Sequence, residues 1–338
     1  MNTSEDLTHS GNPGEPGESP SAPAFALREA PAAAGQRDGL LLVDKHAGCT
    51  SHDVVAAARK ILRQKRIGHC GTLDPDATGL LLLTVGNATR LTRFLIRAPK
   101  TYTGKIRFGV TTDTYDTAGE IVRERPVAGL DDARVAAAME LFVGELQQTP
   151  PPYCAKKING VKYYELARRG EATPEDPKEV TVYDFHATAP YADGRDLPFL
   201  LSCSSGTYAR SLAHDTGEKL GCGGTLSELR RTRIGNFRVE EAFGLDALRA
   251  RMAAGEPIGA CFIPFDDIEL PFGEVVADAQ QEKRIQHGQT VLFRELEGQE
   301  GDWVKVMNRR RQFIAVGSLI EKIGTGNVGV VQPKVVFG

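Results

Sequence analysis

Asp74 and Asp76 stand two residues apart in RIGHCGTLDPDATGLLLL, residues 66–83, with His69, Gly71, Thr72, Pro75 and Gly79 around them. Aspartates in such a turn commonly bond nearby backbone amides and serve the turn itself. A polar loop held against a buried strand is also a frequent seat of chemistry. Glycoside hydrolysis needs two carboxylates about 5–9.5 Å apart on opposite sides of a bond. Neighbours separated only by Pro75 rarely face each other in that way. A single carboxylate acting as nucleophile is the better enzymatic reading. It must stay ionised while buried, which calls for a cationic partner. The candidate is Arg210, beside Tyr208 in CSSGTYARSLAHDTGEKLG, one turn into an expected helix and after a strand that could lie next to the Asp74 loop. Taken singly, an arginine there is more often a surface helix residue.

The elements that would position these groups follow from the hydrophobic pattern. GLLLVDK and TGLLLLTVG read as buried strands, and HDVVAAARKIL as a helix with Ser51 as its N-cap. NATRLTRFLI reads as a helix capped by Asn87, with Arg90, Arg93 and Arg97 along one exposed face. TYTGKIRFGV alternates as a strand, DTYDTAGEIV supplies a turn and return strand, and residues 131–143 carry helical spacing through Val135, Met139 and Phe142. KEVTVYDFHATA and LPFLLSCSS are strands, and TYARSLAHDTGEKLG is a helix closed by Gly221. The irregular mixture predicts an α+β fold with a mixed or antiparallel sheet flanked by helices, not a doubly wound one. Beyond Ile263–Pro264, the segments WVKVM, QFIAVGSLI and VGVVQPKVVF predict a small β-rich domain. The expected division is a disordered Pro/Gly-rich acidic tail (1–37), a catalytic domain (38–262) and the β-rich domain (263–338).

Composition narrows the function. With 338 residues, 41% hydrophobic and 25% charged, the chain can build a sizeable core. No apolar run reaches the roughly 20 residues of a membrane helix, and no signal peptide is visible. Six scattered cysteines without CxxC argue against zinc and against a disulfide framework, and fit the cytoplasm. The net charge of −3 resides entirely in residues 1–37, where five acidic side chains meet two basic ones. The neutral remainder gathers basic residues at Arg59, Lys60, Arg63, Lys65 and Arg66, at Arg230, Arg231 and Arg233, and at Arg309, Arg310 and Arg311. Charge runs are usually solvated surface, yet three clusters raise the prospect of a polyanionic partner. No GxxxxGK[ST], strand–GxGxxG–helix unit or GxSxG appears, so no cofactor or metal is expected.

GHCGTLDPDATGLLLLTVGNATR resembles the GH-x-G-[TA]-L-D-P-x-A-[TS]-G signature of the TruB family of tRNA pseudouridine-55 synthases. LLVDKHAGCTSHD resembles its DKPxGxTS block, and KTYTGKIRFGVTTDTYDTAGEI its K-x-Y and T-D-T-x-D-x-x-G block. PPYCAKKINGVKYYELARRG and CSSGTYARSLAHDTGEKLGCGGTLSELRRTRIG are similar to the remaining two, all in family order over residues 39–235. His46 stands where the family has proline, Cys154 where it has serine, and Asp76 where it has leucine. The resemblance implies isomerisation of one uridine of the tRNA TΨC loop, without cofactor, by a monomer. Asp74 would be the catalytic carboxylate and Arg210 its partner. Tyr102, Tyr208 and Leu229 would line the base pocket, although two tyrosines and a leucine are also ordinary core material. His69 would occupy the space of the flipped base, and Lys45 would support the loop or contact phosphate. The C-terminal piece resembles a PUA-like RNA-binding domain. Two alternatives stay open: an RNA-binding or tRNA-folding protein needing no catalysis, and a pseudouridylase acting on other RNAs. A pure binder has no reason to bury Asp74 against RNA.

Overall fold

The computed structural model describes residues 37–153, 157–158, 161–162, 177–191, 196–324 and 327–338. The expected disorder of the tail to residue 36, and Cys154 with much of its sequence block, lie outside the described residues. In chain order the elements are β1 (Gly39–Lys45), α1 (Ser51–Leu62), β2 (Ile67–His69), β3 (Thr78–Val85), α2 (Thr92–Leu95), β4 (Lys100–Phe108), β5 (Val110–Thr112) and β6 (Ile121–Glu124). There follow α3 (Asp132–Glu140), β7 (Gly144–Gln148), β8 (Lys157–Ile158), β9 (Val161–Lys162), β10 (Lys178–Ala187), β11 (Asp196–Cys203), α4 (Ala209–Lys219), β12 (Gly224–Ile234) and β13 (Phe237–Arg238). The chain closes with α5 (Leu245–Ala254), β14 (Phe262–Pro264), β15 (Glu274–Ala277), α6 (Ala279–Gln286), β16 (Val291–Phe293), β17 (Trp303–Asn308), β18 (Phe313–Ile323) and β19 (Val328–Val336).

Among the described residues, one ten-stranded mixed sheet runs in the order β14-β1-β3-β12-β4-β11-β10-β7, with β2 on β3 and β13 on β12. This is the α+β arrangement expected from the unequal spacing of strands and helices. β3 is buried along nearly its whole length, which is why its sequence is a continuous apolar run, whereas β11 alternates as a strand covered on one face does. A second, five-stranded sheet has the order β15-β17-β18-β19-β16 and its own core around Val304, Val306, Leu319 and Val331. β14 crosses the expected boundary at 262/263 and pairs with β1, and the second sheet begins at Glu274.

Two local expectations differ from the structure. The cap of α1 is Thr50, whose side chain and that of Asp53 bond each other's backbone amides; Ser51 is turned to the Asp74 loop instead. Residues 86–91 form a 3₁₀ turn with no side-chain cap, because Asn87 is bound through its amide and side chain to Asp38. Of the arginines there, Arg90 donates to the Val336 carbonyl and lies 5.1 Å from the Phe337 ring, and Arg93 covers Phe94 and Trp303 at 4.7 and 5.1 Å. They join the second sheet to the first part of the chain.

Candidate active site

Asp74 sits on the loop between β2 and β3, and side chains from three other elements fix that loop's backbone. Lys45, at the end of β1 and only 1% exposed, donates through Nζ to the carbonyls of Pro75 (2.8 Å), Ala77 (2.6 Å) and His46 (3.1 Å). Ser51 of α1 donates to the Leu73 carbonyl and accepts from its amide at 3.1 and 2.9 Å. Arg231 of β12, also 1% exposed, donates to the carbonyls of Leu80 (2.8 Å) and Gly71 (3.0 Å). The Pro75 carbonyl also accepts from the Gly48 amide at 3.0 Å, so the loop's carbonyls are paired from more than one side. At Gly79, φ is +97°, and a Cβ would fall 2.2 Å from the Arg231 carbonyl oxygen. Only glycine lets β3 and β12 run this close.

Arg210, the second residue of α4, is almost wholly enclosed. Its Nε lies 3.1 Å from Asp74 Oδ2 and its Nη1 3.4 Å from Asp116 Oδ2, and Nη1 also donates to the Thr114 carbonyl at 3.0 Å. One guanidinium thus bridges two carboxylates. Two strands, β12 and β4, stand between β3 and β11, so α4 and not strand adjacency brings Arg210 to Asp74. The start of α4 is pinned by Gln148, whose side-chain amide bonds both the amide and the carbonyl of Tyr208. Asp74 itself keeps 46% of its side chain open to solvent. Its carboxyl is held above the ordinary range: enclosure by protein is the largest cause, Arg210 and Lys45 pull it down, and Asp116 and Asp76 push it up. Burial therefore outweighs Arg210.

Asp74, Arg210 and Leu229 form the wall common to two cavities. One, about 360 Å³, is also lined by Lys100, Tyr102, Tyr208 and Arg231. The other, about 470 Å³, is also lined by Asp76, Thr114, Asp116 and Tyr153. Burial raises the Tyr102 phenol above its ordinary value, so it stays protonated at neutral pH. Burial, with Arg231 adding, lowers Lys100 to about 8. His69 lines neither cavity; it lies on β2 with its ring edge-on to His52 at 5.6 Å, and burial, then His52, holds its imidazole below the usual value.

Residues 59–209 match the family model described as TruB family pseudouridylate synthase (N terminal domain), 210–268 that of the tRNA pseudouridylate synthase B C-terminal domain, and 273–337 that of Pseudouridine synthase II TruB, C-terminal. The chain belongs to the TruB family. The TruB relative named tRNA pseudouridine synthase B of Ralstonia pickettii is 40% identical over 88% of this chain and 93% of that protein. Those of Solibacter usitatus and Aquifex aeolicus are each 38% identical, covering 84% and 88% of this chain and 96% and 98% of theirs. Among solved structures, a Cbf5–Nop10–Gar1 complex is similar with TM-score 0.68 at 25% identity, covering 88% of this chain and 85% of that one. An H/ACA RNP bound to a substrate RNA containing 2′-deoxyuridine shares the fold, with TM-score 0.66 at 24% identity over 89% and 85%.

Within this TruB site, sequence reasoning gave Asp116 and Lys100 no role, although both stood in the blocks used for the resemblance. In the sequence Asp116 is one more carboxylate in a turn, and only the fold sets it against Arg210. Of the cluster Arg230, Arg231 and Arg233, read as a possible polyanion surface, Arg231 is buried under the loop, Arg230 pairs with Asp44 at 2.8 and 3.0 Å, and Arg233 is exposed. Arg59, Lys60, Arg63, Lys65 and Arg66 are exposed, as are Arg309, Arg310 and Arg311.

Proposed function

We propose that this chain converts uridine 55 in the TΨC loop of tRNA to pseudouridine, with Asp74 as the catalytic carboxylate. The observation carrying the proposal is a carboxylate 3.1 Å from a buried arginine, on the shared wall of two cavities that face solvent. In the reaction the N1–C1′ bond breaks, the uracil turns while held, and C5 bonds to C1′; the product is an isomer, and nothing is oxidised. Asp74 meets the nucleoside, and Arg210 aims it. Tyr102, Tyr208 and Leu229 give the extruded base planar and apolar walls, which offset an unstacking cost of a few kcal/mol. His69, outside the base cavity, fills the space that the base vacates in the loop. The exposed basic residues after Arg59 and around Arg310 meet phosphates, the second sheet serving as a PUA-like RNA-binding domain. The protein works in the cytoplasm as a monomer without an obligate protein partner.

The test is incubation of the purified chain with uridine-containing T stem-loop RNA and no added cofactor, followed by detection of pseudouridine. Product supports the reading. Tight binding without product favours a protein that only binds or refolds tRNA, and product from other RNAs alone favours a different substrate.

A further inference from the structure

The loop between β5 and β6, which carries Asp116, meets α4 at two places. Arg210 and His214 lie four residues apart on that helix and so share a face. Arg210 takes the Thr114 carbonyl and the Asp116 carboxylate; one turn on, the His214 ring stacks flat on Tyr115, with centroids 3.8 Å apart and planes 6° from parallel. Tyr115 lies between the two residues that Arg210 grips, and it has φ +64°. A bulky side chain rarely adopts that left-handed conformation, and it persists only where the surroundings impose it. Here Tyr115 accepts from the Leu226 amide at 2.9 Å, and Thr117 donates to the Leu226 carbonyl at 3.0 Å. The stack supplies the side-chain half of the clamp. Neither Tyr115 nor His214 lines the two cavities.

We propose that His214, through its stack on Tyr115, is a positioning residue that holds Asp116 against Arg210 and thereby sets the aim of Asp74. This rests on the pseudouridine-forming reading above. The ring is suited to the task as a neutral group. Its Nδ1 is buried without a hydrogen-bond partner, so protonation there would add a buried N–H with no acceptor. Burial, the largest influence, keeps the imidazole below its usual value; Glu218 on the same helix opposes this and Arg123 from β6 adds to it.

The experiment compares His214→Ala, His214→Gln and His214→Phe in the full chain on T stem-loop RNA. Losing the stack should lower kcat on the order of 10- to 100-fold, the scale of misaimed catalytic groups, with KM changed less than about 3-fold. It should also move the acid limb of kcat to lower pH, because a displaced Asp116 no longer pushes the Asp74 carboxyl up. Glutamine fills the space without stacking and should behave as alanine does; phenylalanine stacks and should restore the rate. In an Asp116→Asn background, His214→Ala should add little further loss. Stack-free variants with normal kcat and pH profile, merely melting earlier, would overturn the proposal. So would losses that multiply fully with Asp116→Asn. Failure of the wild type to make pseudouridine would instead overturn the reading beneath it.

Discussion

Replacing Arg210 with alanine strips one cation from two carboxylates at once. Its Nε and Nη1 lie 3.1 and 3.4 Å from Asp74 and Asp116, and its side chain is 8% exposed. Breaking a fully buried pair costs about 3–5 kcal/mol. Because Asp74 is 46% exposed, solvent screens part of that loss, and about 1–3 kcal/mol of stability is the expectation. Catalysis should suffer more. Arg210 is the strongest influence lowering the Asp74 carboxyl, so its removal lets burial, Asp116 and Asp76 push that group further up and favour its protonated form. Each unit of upward movement, once it exceeds the assay pH, costs about tenfold in the ionised fraction, and lost aim about 100-fold more. Single-turnover pseudouridine formation should therefore fall at least about 100-fold, while RNA affinity, dominated by phosphate contacts, stays within about 3-fold. Arg210→Lys should rescue only in part, since an ammonium cannot span both carboxylates as the fork does. In a double-mutant stability cycle with Asp74→Asn the two should couple by about 0.5–3 kcal/mol. Additive losses would refute the pairing.

Asp116→Asn removes a charge that raises Asp74, so the acid limb of the rate profile should move to lower pH, and Asp76→Leu should move it the same way; limbs that stay put or move up would contradict the electrostatics of the cleft. Lys45→Met removes one buried ammonium from the Pro75 and Ala77 carbonyls of the loop and from the His46 carbonyl, and should cost about 1–3 kcal/mol in chemical denaturation and lower kcat; an unchanged midpoint would show that the loop holds itself. Deleting residues 1–36 should leave the melting temperature and rate unchanged and tighten RNA binding at low salt, as a net acidic segment goes; a large fall in melting temperature would show that it packs. The cut stops before Arg37, whose backbone is tied to Gln64 by two hydrogen bonds.

What was legible in the sequence was whatever depends on local pattern. The run after Thr78 reads as a buried strand because β3 is covered on both faces, and the alternation of residues 196–203 survives because β11 is not. The cap of α1 was misplaced by one residue because Thr50 and Ser51 both carry hydroxyls; which one caps depends on Leu73, twenty-two residues away. Arg230 and Arg231 look alike in sequence, but successive strand residues point to opposite faces, so one pairs with Asp44 outside while the other is buried against loop carbonyls. The Asp74 turn could be singled out from its residue types alone. The bridge from Arg210 to Asp116 could not, because it joins a helix to a loop ninety-odd residues upstream with no pattern linking them.

The most direct test sets Asp74→Asn beside Asp76→Asn, each with T stem-loop RNA in single-turnover excess of enzyme and with binding measured in parallel. Asp74→Asn should bind the RNA within about 3-fold of wild type and form no pseudouridine, whereas Asp76→Asn should remain active. Turnover by Asp74→Asn within about 10-fold of wild type, or a folded Asp76→Asn protein that binds yet makes no product, would contradict the account by showing that the wrong carboxylate has been assigned the chemistry.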